Sequence, residues 1–237
     1  VSRSLLLLLR GPLQSWGDDS RYTVRGTQAY PSKSGVLGLL AAAQGRRRAD
    51  PVEDLARLSF GVRVDQPGRV LKDFQTSTAW QKGETTPLAL VSRYYLTDAV
   101  FVAAVGGEPP LLEALEGALR RPRFPLFLGR RSCPAGPDLL IGVREGDVDE
   151  ALRAEPWHAS PDYRRSVPQQ MSLPVFRDRL PGEQEPAYAR RRDVPLSFDP
   201  ARRDYGWRDV VAADPVEVSN PEGSAVPDPF FSTVVSA

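Results

Sequence analysis

Apolar residues along the chain fall into short runs divided by turn-forming residues. The densest runs from Leu5 to Leu9 and stops at Arg10. A run this short is no membrane span and no signal h-region, and it predicts a buried strand over residues 4–10. Residues 34–44 place Val36, Leu37, Leu40 and Ala41 at helical spacing, with Ser32 or Ser34 to cap the start and Gly45 to close the end. Asp50-Pro51-Val52-Glu53 resembles a capping box with proline at the first helical position, and predicts a short helix reaching Arg57. Residues 59–64 and 69–74 read as strands around the turn Gln66-Pro67-Gly68. Residues 75–92 have weak periodicity and many polar side chains, which fits a protruding hairpin turning near Lys82-Gly83. Residues 94–105 read as one strand. Residues 109–121 read as a helix with Leu111, Leu112, Leu115 and Leu119 on one face, and residues 138–143 as a further strand.

Strand, helix, two strands, helix, strand is the βαββαβ order of a ferredoxin-like (RRM-like) domain of the α+β class, here predicted over residues 1–145. After residue 146 proline and charge increase and the apolar pieces shorten to 173–176, 196–198 and 205–211. This predicts a small, irregular, β-rich C-terminal region over 146–237. From Ala212 onward Pro, Ser, Asp and Glu dominate, the composition of a mobile tail.

The chain has 237 residues, enough for one domain with an appendage or for two small domains. Cys133 is its one cysteine, which excludes an internal disulfide and a Cys-based zinc site and fits a reducing, cytoplasmic setting. His158 is the one histidine and acids do not recur at ligand spacing, so neither a metal nor a cofactor is expected. The net charge of +1 hides an asymmetry: residues 1–48 hold eight basic side chains against two acidic ones. A second basic stretch, Arg120 to Arg131, holds five arginines and no acid. Patches of one sign attract polyanions whatever the total charge. Against this stands a compositional reading, since lysine occurs only at 33, 72 and 82 and arginine does nearly all the cationic work.

Three segments suit nucleic-acid chemistry. In Gly11-Pro12-Leu13-Gln14-Ser15-Trp16-Gly17, Trp16 can stack on an unpaired base and Gln14 or Ser15 can bond a base edge; equally, Trp16 can anchor the core beneath its loop. In Tyr30-Pro31-Ser32-Lys33-Ser34-Gly35-Val36, free amides at a helix start, a lysine and two hydroxyls suit a phosphate, although a capped helix with an exposed lysine has the same sequence. The glycine spacing of a P-loop is missing. In Phe127-Leu128-Gly129-Arg130-Arg131-Ser132-Cys133-Pro134, glycine allows close approach and paired arginines can grip phosphates. Cys133 has no histidine arranged to activate it and reads as small buried filler. Asp204-Tyr205-Gly206-Trp207-Arg208 reads as a strand with core aromatics, with partner docking as the alternative.

Four runs together resemble one family: Leu9-Arg10-Gly11-Pro12-Leu13-Gln14-Ser15-Trp16-Gly17, the run from Pro31 through Ser32, Lys33, Ser34 and Gly35 to Leu40, Arg93-Tyr94-Tyr95-Leu96-Thr97-Asp98-Ala99, and Leu128 through Gly129, Arg130, Arg131 and Ser132 to Pro134. In this order and spacing they are similar to the CasD-type subunit of the type I-E CRISPR complex called Cascade, within the RAMP superfamily. The resemblance covers residues 3–145 and the C-terminal part loosely. It implies a ferredoxin-like RAMP body with a β-hairpin thumb at about 75–92. It implies a non-catalytic subunit that binds and caps the 5′ handle of the crRNA, the thumb intercalating where handle meets spacer. The implied partners are a CasC-type backbone subunit, a CasA-type large subunit and, indirectly, target DNA, with no membrane. The positions expected to bind RNA are Gln14, Ser15, Trp16, Arg21, Arg25, Ser32, Lys33, Ser34, Gly35, Gln75, Thr76, Arg93, Tyr94, Gly129, Arg130, Arg131 and Ser132. The alternative is a metal-independent endoribonuclease that processes precursor CRISPR RNA, as in type I-C systems, recruiting Tyr30 and Lys33 as acid and base.

Overall fold

The structure, a computed structural model, describes residues 2–17, 24–78, 87–184 and 186–224. In chain order its elements are β1 (Arg3–Arg10), β2 (Leu13–Gln14), β3 (Val24–Arg25), α1 (Lys33–Gln44), α2 (Glu53–Ala56), β4 (Ser59–Gln66), β5 (Arg69–Thr78), β6 (Pro87–Thr97), β7 (Val100–Gly106), α3 (Pro109–Arg120), β8 (Leu140–Glu145), α4 (Val148–Ala154), α5 (Pro161–Ser166), β9 (Gln170–Asp178), β10 (Ala189–Ser197) and β11 (Asp204–Ser219). It is a mixed α and β fold, with seven strands in one sheet in the order β10-β11-β9-β4-β7-β1-β8 and every neighbouring pair antiparallel. A smaller sheet is built on β6, which pairs with β5 along its length, with β3 at its middle and with β2 at its end.

The leucine run explains its own position. Leu5, Leu7 and Leu9 point into a core shared with Leu37 and Leu40 of α1 and Leu112 and Leu115 of α3. Leu6 and Leu8 point the other way, into a second core closed by Val148, Ala151 and Leu152 of α4. Both faces of β1 are covered, so no polar alternation is needed. Each such leucine contributes about 1.5–3 kcal/mol of burial.

α1 starts and stops where local chemistry predicts. The Ser32 hydroxyl accepts the Gly35 N–H, and Gly45 closes the helix at φ 82°, donating its N–H to Ala41 and Ala42 carbonyls. The capping box at residues 50–53 does not form. Val52 is the N-cap of α2 without a side-chain bond, and the Asp50 carboxylate instead accepts the Arg47 N–H at 2.6 Å. The strand predicted over 94–105 is two strands: Asp98 takes φ 54° and breaks it, with its carbonyl held by the Gln66 amide. Gln66-Pro67-Gly68 turns between two strands as expected, but the strands enter different sheets: β4 pairs with β7 and β9, and β5 pairs with β6.

The region after residue 146 is more regular than its composition suggests. It holds two helices and three strands, and β9 pairs with β4 so that β9, β11 and β10 extend the large sheet. β11 continues to Ser219, inside the stretch expected to be a mobile tail, because it stays paired with β9, through one bulge, as far as Gln170. Past β9, Arg177 grips Glu183 with two bonds of 2.6 and 2.9 Å, and the Leu180 N–H adds a third at 2.8 Å. The Arg177 guanidinium first, then that N–H, hold the Glu183 carboxyl at about 2 instead of 4.5. A carboxyl depressed in this way stabilises the fold above its ordinary value and loses the contribution as pH falls towards the folded value. Stability is therefore expected to drop between about pH 4.5 and about 2 more steeply in the native chain than in Glu183→Gln. Chemical denaturation across that window checks this, and equal slopes would refute it.

Candidate nucleic-acid interface

β5 and β6 form a two-stranded ribbon whose register pairs Arg69 with Thr97 and Gln75 with Val91. The expected turn at Lys82-Gly83 lies outside the described residues. The ribbon starts at Arg69, six residues before the predicted hairpin, and that extension carries side chains the sequence reading missed. Phe74 is 58% exposed, and Val70 and Leu90 are exposed beside it. The Lys72 ammonium sits 4.5 Å from the Phe74 ring centre and 5.9 Å from that of Tyr94. An apolar ring left in water beside a cation, on a strand with period two, is the available signal: Val70, Lys72, Phe74 and Thr76 share one face.

The opposite ribbon face, with Leu71, Asp73 and Gln75, borders a cleft of about 280 Å³ closed by Leu13, Tyr95 and Ser132. Ser132 and Tyr95 hydroxyls lie 3.3 Å apart, and the Arg130 guanidinium is 5.0 Å from the Tyr95 ring centre. Burial alone would raise the Tyr95 phenol; bonding to Ser132, Arg130 and Arg93 outweighs it and the phenol is lowered.

The loop over residues 128–133 is positioned by the motif at 14–16. The Ser15 N–H bonds the Leu128 carbonyl, and Gly129, at φ 87°, lies so close that a Cβ there would stand 1.8 Å from the Ser15 carbonyl oxygen. Gln14, Ser15 and Trp16 are all buried. The Gln14 amide donates to the Leu9 and Ala99 carbonyls and accepts the Trp16 indole N–H; the Ser15 hydroxyl bonds the Tyr94 carbonyl. These three expected RNA contacts are therefore scaffold: Trp16 packs under Gly35 of α1 with no ring face left for a base. Arg130 is also a brace, donating to the carbonyls of Tyr94, Arg25 and Gly26.

Ser32, Lys33, Ser34 and Gly35 do not join this surface. The amide end of α1 is already filled by carboxylates of the chain itself. Asp193 accepts the Lys33 N–H at 2.8 Å, and Asp178 takes the Lys33 ammonium at 2.8 Å and the Phe60 N–H at 3.0 Å. Arg208 links both acids, at 2.6 Å to Asp193 and 2.7 Å to Asp178. An N-terminal helix end favours an anion, and here the anion is internal. Tyr30 is buried too, stacked on Phe176 at 4.2 Å with Arg191 over its other face, and burial pushes its phenol up.

Of the expected positions, Arg25, Gln75, Thr76, Arg93, Tyr94, Gly129, Arg131 and Ser132 converge around the ribbon base, joined by Lys72 and Phe74. Arg25 is paired in register with Arg93, and Arg131 and Ser132 are exposed. Arg21 lies outside the described residues. Cys133 is buried and burial pushes its thiol up, so it is no activated nucleophile. Among the described residues no group of acids, cysteine and histidine could hold a metal, and no helix is long and apolar enough to cross a membrane.

A family model described as "CRISPR-associated protein (Cas_Cas5)" matches residues 4–211, from β1 into β11. The chain belongs to the Cas5 family. This Cas5 chain is 34% identical over 170 residues to "CRISPR system Cascade subunit CasD" of Escherichia coli (strain K12), covering 62% of this chain and 75% of that protein. It is similar to a solved chain of a "CRISPR RNA-guided surveillance complex", with TM-score 0.73 and 31% identity over 98% of each. It is also similar to one titled "Crystal structure of Cas protein", with TM-score 0.63 and 37% identity over 92% of this chain and 95% of the other. The Cas5 match spans the ribbon, the 128–133 loop and the sealed end of α1 alike.

Proposed function

We propose that this chain is a subunit of a CRISPR RNA-guided surveillance complex of the Cascade type, and that it holds the 5′ handle of the crRNA without cutting it. The observation that carries the reading is the gathering of residues 24–25, 72–76, 92–94 and 129–132 around both faces of one ribbon, with Lys72, Phe74 and Tyr94 on one face and Gln75, Arg93 and Ser132 on the other. A short single-stranded handle is gripped by stacking its splayed bases and bonding their edges, while arginines hold its backbone. Phe74 and Tyr94 supply the rings, Arg25, Arg131 and Lys72 the charge. The β5–β6 ribbon acts as the thumb. The body is read as ferredoxin-like, supported by the order β8-β1-β7-β4 with α1 and α3 packed on one face.

A processing nuclease draws no support from Tyr30 or Lys33. One is stacked and the other is paired, and neither reaches the surface. The chain is taken to work in the cytoplasm beside a CasC-type backbone subunit and a CasA-type large subunit, meeting target DNA through them.

The test is binding of the purified chain to a repeat-derived 5′ handle and to a scrambled RNA of equal length, over a salt series. Preferential, salt-sensitive binding with both RNAs left intact is expected. Phe74→Ala should weaken handle binding by about 1–3 kcal/mol, the loss of one stacked base. Arg131→Ala should instead lower the log–log salt slope by roughly 0.7, one phosphate contact on a single strand. Equal affinity for both RNAs, unchanged by either substitution, would refute the assignment of this surface.

A further inference from the structure

The two basic stretches that stood apart in sequence meet in space away from the ribbon. Gly45 turns the chain at the end of α1, and its left-handed backbone lies against the Arg123 side chain. The Arg123 and Phe124 amides bond the Ala43 and Ala42 carbonyls, tying residues 121–124 beside residues 46–48. A third segment joins them. Phe198 packs on Gly38 of α1 and edge-on to Tyr205, and Tyr205 feels both Arg203 and Arg48 as neighbouring charges. Arg47, Arg48, Arg121, Arg123 and Arg203 are thus gathered at the carbonyl end of α1, all exposed, with Phe124 exposed among them.

What singles the cluster out is its unspent charge. Among the described residues none of these five arginines has an ion pair, whereas Asp54 is held by Arg46, Asp204 by Arg192 and Asp50 by the Arg47 N–H. Cations at a helix carbonyl end are favoured by the helix dipole, which lowers the cost of crowding like charges there. α1 is about 18 Å long for its twelve residues. Its other end is the one that packs on Trp16, below the 128–133 loop. At physiological salt the Debye length is about 8 Å, so exposed charges at the two ends of α1 act independently.

We propose that this arginine cluster is a second nucleic-acid site, which takes the sugar–phosphate backbone without reading sequence. Guanidinium forks match phosphate oxygens, and Phe124 offers one ring to an unstacked base. The guide strand and duplex DNA present the same phosphates, so the experiment must tell them apart.

The full chain carrying R47A/R48A/R121A/R123A is titrated, beside the native chain, with a single-stranded RNA that lacks the handle sequence and with a DNA duplex of equal length, over a salt series. All four side chains are exposed, so the melting temperature should stay within a degree or two of native. The expected result is a fall in log–log salt slope of roughly 2–3 with the single strand, at about 0.7 per lost contact, or of roughly 3–4 with the duplex, at about 0.9. Whichever slope falls names the nucleic acid. Native slopes for both would overturn the proposal, and the same outcome with loss of an acidic partner protein on co-purification would reassign the cluster to that protein. The readout uses no handle sequence, so failure of the handle reading and failure of this one are separately visible.

Discussion

Arg63→Ala is expected to destabilise the fold by ~3–5 kcal/mol, the usual cost of stranding the partner of a buried ion pair. Arg63 and Asp65 are completely buried within β4. Every guanidinium nitrogen is engaged: Nε and Nη2 with the Asp65 carboxylate at 2.7 and 3.0 Å, Nη1 with the Leu152 and Glu155 carbonyls, and Nη2 also with that of Pro156. Asp65 in turn accepts the His158 N–H, and its backbone carbonyl accepts the Trp157 indole N–H. The pair therefore fixes the end of α4 and the segment 155–158 onto the sheet. Removing the arginine leaves an unpaired buried carboxylate and three unpaired carbonyls. At about 2–4 °C per kcal/mol for a chain of this size, the melting temperature should fall by roughly 6–20 °C. Arg63→Lys should recover little, since one ammonium has three protons for the five acceptor oxygens that the guanidinium serves. A melting temperature within two degrees of native for Arg63→Ala would refute the account.

Gly129→Ala is expected to damage the proposed RNA surface more than any single proposed contact residue, although Gly129 itself touches little. Its φ of 87° suits glycine, and a Cβ would stand 1.8 Å from the Ser15 carbonyl oxygen. Left-handed backbone costs a non-glycine residue about 1–3 kcal/mol. Overpacking against backbone adds about 1–3 kcal/mol more. The strain is relieved only by moving the loop off Ser15. That breaks the bond from the Ser15 N–H to Leu128 and shifts Arg130 from its three carbonyls. Handle affinity should fall at least tenfold, with the melting temperature lowered by several degrees. Gly17→Ala is the control: among the described residues a Cβ there meets nothing within 4 Å, and neither quantity should change. Equal behaviour of the two variants would refute the role given to Gly129.

Residues whose partners are close in sequence were legible. Ser32 caps α1 and Gly45 closes it because both bonds run within four residues. The strand over Leu5 to Leu9, the leucine stripe of α3 and the four runs that resemble the Cas5 family were equally open to reading. The converse holds for Asp50. A capping box was visible there, yet its carboxylate found the Arg47 N–H, a local competitor the pattern does not rank.

The sequence alone thus determined the buried first strand, the caps of α1 and the basic stretches, which follow from composition and short-range periodicity, and it pointed to the family through the resemblance of four ordered runs. The tertiary structure alone decided which of the candidate side chains face solvent. Trp16 and Lys33 have the chemistry to meet a base and a phosphate, but Gly35 lies over the first and Asp178, 145 residues on, neutralises the second. Arg130 spends its fork on carbonyls more than thirty residues away, whereas its neighbour Arg131 stays exposed. A lysine or an arginine suits an internal carboxylate as well as an external phosphate, and only the folding of distant segments onto one another decides which of the two it meets.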